Sequence, residues 1–154
     1  AVNDAELVFL AVPYGVVGEL VDAVGDLREK ILVDLTNPLT PDYMGLTVGF
    51  SSSAAEEIAA LVPSAHVVKA FNTVFPPFFD PATDRKATAP TIVVAGDDDA
   101  AKNKVIEFAR SLDFEAVDTG ALSNARYIEP MAELGIQLAY GQGLGTQIGF
   151  RLSS

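Results

Sequence analysis

The sequence contains no cysteine among its 154 residues. Disulfide bonds, thiolate nucleophiles and cysteine-ligated metal sites are therefore excluded. No apolar run approaches the roughly 18 residues that a membrane-spanning helix needs, so we expect no membrane partner. Residues 1–4 carry neither a basic stretch nor a long apolar run, which is unlike a secretory signal. These absences favour a cytoplasmic location, and the length favours a single domain over residues 1–154.

Basic residues are also scarce. Lys and Arg number 10 against 21 Asp and Glu, which gives a net charge of −11. A surface that binds a phosphate backbone needs a basic face, so we expect no nucleic-acid partner. An anionic cofactor would have to meet a locally positive pocket, because the overall field repels it.

Residues for hydrolytic or metal chemistry are missing too. The single histidine, His66, has no Ser-His-Asp or metal-ligand spacing around it, and residues 51–53 lack the glycines of a nucleophile elbow. The acidic run 97–99 precedes a predicted helix, where carboxylates interact favourably with the helix dipole. We therefore interpret that run as a helix cap rather than a metal site.

No glycine-rich phosphate loop precedes the first predicted strand. Such a loop lies between a strand and a helix, so that its N–H groups and the helix dipole converge on the phosphates. Residues 141–146 resemble the loop in composition, but their glycine spacing differs and they follow a predicted helix. We interpret these glycines as the end of that helix and as positions of close backbone packing.

Apolar segments at regular intervals predict the strands of a buried sheet. Nearly continuous runs of Val, Ile and Leu are typical of parallel strands covered on both faces. The predicted strands are 7–12, 31–35, 67–71, 91–95 and a short 115–118. Helical patterns separate them, at 14–25, at 53–62 behind a capping box, and at 100–112. This alternation predicts an α/β fold with a mostly parallel sheet.

Two further segments carry proline. Residues 75–81 contain three prolines, and we expect no regular structure there. Residues 121–140 have the apolar spacing of a long helix, which Pro130 should kink or divide into two.

Polar turns follow three of the predicted strands. In parallel sheets ligands bind beyond the carboxyl ends of the strands, so these turns would stand side by side at one cleft. Prolines would fix the turns, while Asn and Thr would offer donors and acceptors to a carboxamide or a ribose. Such an arrangement suits hydride transfer, in which the protein orients the cofactors and excludes water. The same residues are also ordinary turn formers, and spacing alone leaves both interpretations open. The turns are Pro13-Tyr14, Asn37-Pro38 and Asn72-Thr73.

Six motifs in the same order give the chain a family resemblance from about Glu6 to Leu152. They are Leu10-Ala11-Val12-Pro13-Tyr14, Asp34-Leu35-Thr36-Asn37-Pro38, Val68-Lys69-Ala70-Phe71-Asn72-Thr73, Ala95-Gly96-Asp97-Asp98, residues 123–130 and residues 143–149. Together they resemble the NADPH-dependent coenzyme F420 reductase family in its bacterial branch. A related Lys-Ala-Phe-Asn-Thr stretch is found in the reductase domain of eukaryotic ferric-reductase membrane proteins.

The resemblance implies an oxidoreductase that moves hydride between NADPH and a deazaflavin (coenzyme F420) or a flavin. It implies a Rossmann-type NAD(P)-binding part over about 1–118 and a C-terminal helical and loop segment over 119–154. The turn at 12–14 would lie near the nicotinamide half of NADP, and the turns at 37–38 and 72–73 would line the hydride-transfer cleft. The C-terminal loop would lie near the deazaflavin. The site residues implied are Val12, Pro13, Tyr14, Asn37, Pro38, Asn72, Thr73, Gly143, Leu144, Gly145 and Thr146. Lys69 and Arg126 are either anion contacts or members of structural ion pairs.

Family members begin with a strand, a glycine-rich phosphate loop, a helix and a second strand, about sixty residues that the printed sequence does not contain. We therefore expect a Rossmann-like sheet that lacks the first phosphate-binding βαβ unit. One alternative is a non-catalytic, dimerising remnant that does not bind NADP by itself. Strand 7–12 would then have an apolar edge, and we expect a homodimer formed through it.

Overall fold

A five-stranded sheet forms the centre of the computed structural model, which describes residues 2 and 4–153. Its strands are β1 (Leu7–Leu10), β2 (Ile31–Asp34), β3 (His66–Lys69), β4 (Ile92–Gly96) and β5 (Ala116–Asp118). They lie in the spatial order β1-β2-β3-β4-β5. All the predicted strands form, with ends within two residues of the predicted ones.

The sheet is mostly parallel, as the sequence predicts. β1 pairs with β2, β2 with β3 and β4 with β5 in parallel, whereas β4 runs antiparallel to β3. A parallel return needs a long crossover, usually a helix on one face of the sheet. The segment between β3 and β4 contains only short helical turns, and the chain returns antiparallel.

The described residues form five α-helices. They are α1 (Val17–Val24), α2 (Ala54–Leu61), α3 (Arg85–Thr88), α4 (Asp99–Ser111) and α5 (Ala125–Ile136). Of these, α2 and α4 pack directly on the sheet. The predicted caps are confirmed at two of them. Ser53 accepts a hydrogen bond from the Glu56 N–H at α2, and Asp98 accepts one from the Ala101 N–H at α4. The acidic run before α4 is therefore a cap, as we interpreted it.

One expectation about proline is wrong, and of the two alternatives for Pro130 the division of the helix does not occur. A turn of 3₁₀-helix forms at Pro76–Phe79, where prolines occupy first helical positions whose N–H groups would have no partner in any case. Helix α5 runs through Pro130 without dividing. Pro130 is the sixth of the twelve residues of α5, so its missing N–H removes one hydrogen bond from the interior of the helix. A 3₁₀ turn precedes α5 and a π-helical turn, Gln137–Gly141, follows it.

Alternate residues of the central strands supply two separate hydrophobic clusters. Val33 of β2 and Val68 of β3 belong to one cluster, while Leu32 and Val67 belong to the other. Side chains of a strand point alternately to opposite faces, so both faces of the sheet are buried. The carboxyl ends of β1, β2 and β3 consequently meet at one edge of a sheet covered on both sides. Within the described residues, no helix has the length and apolar character to cross a membrane.

Candidate functional site

A cavity of about 490 Å³ opens at the carboxyl ends of β1, β2 and β3. Five of the predicted site residues line it: Val12, Pro13, Asn37, Asn72 and Thr73. We call this cavity the strand-end cleft. The parallel register of the three strands brings their turns together, as the sequence predicts.

Two asparagines are joined across the floor of this cleft. Nδ2 of Asn72 donates to Oδ1 of Asn37 at 2.9 Å, and Nδ2 of Asn37 donates to the main-chain oxygen of Asn72 at 3.1 Å. These two hydrogen bonds use both polar atoms of the Asn37 amide. The turn after β2 is therefore fixed to the turn after β3.

The backbone immediately before Asn72 is strained. Phe71 has a φ of 65°, a left-handed conformation that bulky residues rarely adopt. Its ring is buried among other aromatic rings, with centroids 6.3 Å from Phe79 and 6.5 Å from Phe114. Such strain persists only where surrounding packing enforces it, and it is common at ligand sites. Here it sets the direction of the chain as it leaves β3 for the cleft.

Two polar atoms of the cleft residues are buried without a partner. Among the described residues, nothing hydrogen-bonds to Oδ1 of Asn72 or to Oγ1 of Thr73. An unpaired buried polar atom costs about 1–3 kcal/mol. A ligand that offers both an N–H donor and a carbonyl acceptor would satisfy them, since the amide oxygen only accepts and the hydroxyl also donates.

The residues that line the strand-end cleft carry no formal charge. Lys69 and Arg126, the two cations considered as anion contacts, are both used in ion pairs instead. The side chain of Lys69 is fully buried against Asp34 and Glu129, and Arg126 lies 2.6 Å from Glu56. Of the two interpretations, the ion-pair one is confirmed. The cleft suits an uncharged ring rather than a phosphate.

A buried charge cluster lies beneath the cleft. The Lys69 ammonium contacts one oxygen each of Asp34 and Glu129, both at 2.9 Å. The Glu129 carboxylate also accepts the N–H groups of Ala54 and Ala55 at the start of α2. Burial raises the pKa of Glu129, and this effect outweighs the attraction of Lys69 and the two N–H groups. The cluster links β2, β3, α2 and α5 at one point.

Two further cavities adjoin the strand-end cleft. One of about 500 Å³ is mostly apolar, includes Tyr43 and Tyr140, and shares Phe75 and Ile136 with the cleft. We call it the aromatic cavity. The other, of about 330 Å³, shares Asn37 with the cleft and Tyr43 with the aromatic cavity. Because neighbouring cavities share lining residues, we call the three together the groove.

Tyr14 and Pro38, predicted as site residues, do not line the strand-end cleft. The Tyr14 hydroxyl donates to Glu57, and burial followed by this hydrogen bond raises the Tyr14 pKa above its ordinary value. Pro38 is fully buried.

The predicted C-terminal loop also lies outside the residues that line the three cavities. The φ angles of Gly143 and Gly145 are 71° and 75°, and the N–H groups of Leu144 and Gly145 bond back to carbonyls of the preceding helical turn. The loop ends that turn, as we interpreted its glycines. The expected close backbone packing is wrong at Gly143 and Gly145, since a Cβ at either position would meet open space. Thr146 follows and is half-buried.

The sequence pattern did not identify the walls of the groove. Phe75 and Phe79 come from the segment that was expected to be irregular, and Ala132 and Ile136 come from one face of α5. The run of aromatic residues and prolines directly after Asn72-Thr73 is the signal that could have marked the first two. The contribution of α5 depends on how that helix packs against the sheet.

Comparisons with known proteins give consistent results. A family model described as NADP oxidoreductase, coenzyme F420-dependent, matches residues 1–38. Metalloreductase STEAP3 of Rattus norvegicus is 35% identical over 129 residues, which cover 84% of this chain and 25% of the relative. The chain therefore spans about a quarter of the length of the curated relatives it matches.

Solved structures share the fold. A crystal structure assigned as an F420-dependent NADP reductase, from Arthrobacter sp. FB24, has a TM-score of 0.86 and 31% identity, covering 97% of this chain and 70% of that chain. The reductive aminase of Aspergillus terreus in complex with NADPH has a TM-score of 0.60 and 17% identity, and the match covers 93% of this chain and 45% of that chain. The sheet is therefore of the Rossmann-like type.

Proposed function

Because this chain belongs to the family of coenzyme F420-dependent NADP oxidoreductases, we propose that its strand-end cleft holds the nicotinamide end of NADP(H) during hydride transfer. The observation that carries the proposal is the pair of buried, unpartnered atoms in an uncharged cleft, Oδ1 of Asn72 and Oγ1 of Thr73. A nicotinamide carboxamide offers the N–H donors and the carbonyl acceptor that these atoms lack. The bound nicotinamide would supply or accept the hydride.

The residues of the chain would bind and orient the ring. Asn72 would accept a carboxamide N–H, and Thr73 would donate to the carboxamide oxygen. The two hydrogen bonds between Asn37 and Asn72 would hold this pair of turns in place before the ligand binds. Little conformational entropy would therefore be lost on binding. Phe75 and Phe79 would exclude water from the ring. Positioning and exclusion of water are what a protein contributes when the cofactor performs the chemistry.

The second ring of the reaction would occupy the aromatic cavity. Its apolar walls, with Tyr43, Tyr140 and Phe75, suit a flat conjugated ring that stacks on aromatic side chains. This cavity meets the strand-end cleft at Phe75 and Ile136. A deazaflavin (coenzyme F420) or a flavin placed there would lie beside the nicotinamide.

A spectral titration tests the proposal. The chain is titrated with NADPH, and reduction of F420, FMN and FAD is then followed by absorbance. We expect a saturable NADPH signal that Asn72→Ala weakens about tenfold, which corresponds to about 1.4 kcal/mol. Asn103→Ala, on the exposed surface of α4, is the matched control. Absence of any NADPH signal at millimolar concentration would instead support the non-catalytic remnant.

We also propose that the chain forms a homodimer through strand 7–12. β1 is the edge strand of the sheet, and Phe9 on it is 38% exposed. An apolar edge with free backbone groups pairs readily with another strand. Light scattering at micromolar concentration should give the mass of a dimer. A stable monomer would refute this part of the proposal.

A further inference from the structure

The Lys69 ammonium makes three hydrogen bonds, one for each of its protons. Its partners are Oδ2 of Asp34 at 2.9 Å, Oε1 of Glu129 at 2.9 Å and the main-chain oxygen of Thr36 at 2.5 Å. The side chain is fully buried, and Lys69 does not line the strand-end cleft. It therefore acts on the cleft only through the groups that it binds.

Thr36 is held at both ends of its backbone. Its N–H donates to Oδ1 of Asp34 at 2.8 Å, and its carbonyl accepts from Lys69. The next residue is Asn37, whose side chain is the acceptor for the amide of Asn72. A chain of hydrogen bonds thus runs from the buried ammonium through one peptide to the asparagine pair of the cleft.

Stability alone does not account for a charge cluster at this place. A buried ion pair commonly adds little net stability, because desolvation offsets the attraction between the charges. Helices α2 and α5 are already joined by the ion pair between Glu56 and Arg126. What Lys69 adds is the contact with the carbonyl of Thr36, directly before the cleft.

We propose that Lys69 is a positioning residue for the strand-end cleft, which fixes the peptide of Thr36 and thereby the Asn37–Asn72 pair. Without the ammonium, the Thr36 carbonyl and the Asp34 carboxylate lose the donor that holds them, and Oδ1 of Asn37 leaves the Asn72 amide. The unpaired Oδ1 of Asn72 then no longer has a fixed orientation. The effect on cofactor affinity rests on the proposed function, whereas the effect on the asparagines does not.

The experiment compares the full chain with Lys69→Met, in which an apolar side chain of similar length replaces the ammonium. Lys69→Met/Glu129→Gln is a second variant, which removes a positive and a negative charge together and so leaves less uncompensated buried charge. Arg126→Met is the matched control, since it breaks the other link between α2 and α5 without touching residues 34–37. Two quantities are measured: hydrogen exchange of the Asn37 and Asn72 side-chain amides by NMR, and NADPH affinity.

We expect amide exchange about tenfold faster in at least one folded Lys69 variant, with an NADPH affinity lower by a similar factor. Arg126→Met should change neither quantity by more than about twofold, even if it lowers the melting temperature. Unchanged amide exchange in every folded Lys69 variant would overturn the positioning role. If the wild-type chain does not bind NADPH but amide exchange is still faster in a folded Lys69 variant, the positioning role is supported and the proposed function is refuted.

Discussion

Asn37 and Asn72 are joined side chain to side chain at 2.9 Å, and each stands three residues beyond one member of a buried ion pair. That pair is Asp34 and Lys69, which are register partners in β2 and β3. The parallel register of β2 and β3 therefore aligns two pairs of side chains. One is the ion pair in the interior, and the other is the asparagine pair at the cleft. Order at the cleft depends on order in the core beneath it.

The coupling between the two asparagines can be measured. We predict that Asn37→Ala and Asn72→Ala show a coupling energy of about 1 kcal/mol in the free energy of unfolding, because each removes the hydrogen bond between the two side chains. Urea denaturation of both single variants and of the double variant gives this number. Asn37→Ala combined with Asn103→Ala should be additive, and additivity in the cleft pair as well would contradict the geometry described above.

The strain at Phe71 predicts that Phe71→Gly is more stable than Phe71→Ala, which reverses the usual order of these two substitutions. Phe71→Ala should lose about 3–5 kcal/mol of stability through lost aromatic packing. Phe71→Gly loses the same contacts but relieves the left-handed backbone, which costs other residues about 1–2 kcal/mol. The glycine variant should therefore be more stable than the alanine variant by about 1 kcal/mol. Urea denaturation measures this difference.

Phe114 provides the control for that comparison. It is equally buried, and it is not among the residues with a positive φ. At this position the alanine variant should be more stable than the glycine variant, since glycine has the larger entropy cost of folding. If the alanine variant is the more stable one at Phe71 as well, the backbone of Phe71 carries no strain.

Gly149 tests how the C-terminal loop packs. A Cβ at this position would lie 2.7 Å from Cβ of Pro90, closer than two carbon atoms can pack. Gly149→Ala should therefore destabilise the fold by about 1–3 kcal/mol. Gly18→Ala, on the exposed face of α1 with open space around it, should stabilise by about 0.5–1 kcal/mol. Thermal melts of the two variants should shift in opposite directions, and a neutral Gly149→Ala would contradict the close approach.

Glu56 gives stability a pH dependence. The hydrogen-bonded Arg126 guanidinium holds the pKa of Glu56 below its ordinary value of 4.5. The unfolded chain therefore binds more protons, so this stabilisation is present above pH 4.5 and is lost as the pH falls through the lowered pKa. Melting temperatures measured from neutral to acidic pH should fall less steeply for Glu56→Gln than for the wild type. The control Glu107→Gln, on the exposed surface of α4, should follow the wild type.

Local signals explain how much of the fold could be predicted. Each strand is a short run of Val, Ile and Leu next to a turn, and Ser53 and Asp98 are caps that act within their own helix. Parallel strands bring their ends to one edge, so the meeting of Pro13, Asn37 and Asn72 followed from the strands alone. The antiparallel return to β4 did not follow, because it depends on the compact path of the intervening segment.

Tertiary partners explain what the sequence left open. The role of Lys69 depends on Glu129, sixty residues further along the chain, and nothing in the local sequence pairs them. The left-handed backbone of Phe71 has no local signal, since it results from the packing of several aromatic rings. The wall supplied by α5 likewise depends on helix packing rather than on periodicity.

The most direct test of a nicotinamide-binding cleft is NMR mapping of NADPH binding on the isotope-labelled chain. We predict saturable shifts of the backbone amides of Val12, Asn37, Asn72 and Thr73 and of the Asn72 side-chain amide, with smaller changes elsewhere. Saturable shifts centred on another part of the surface, or none at millimolar NADPH, would contradict this assignment of the cleft.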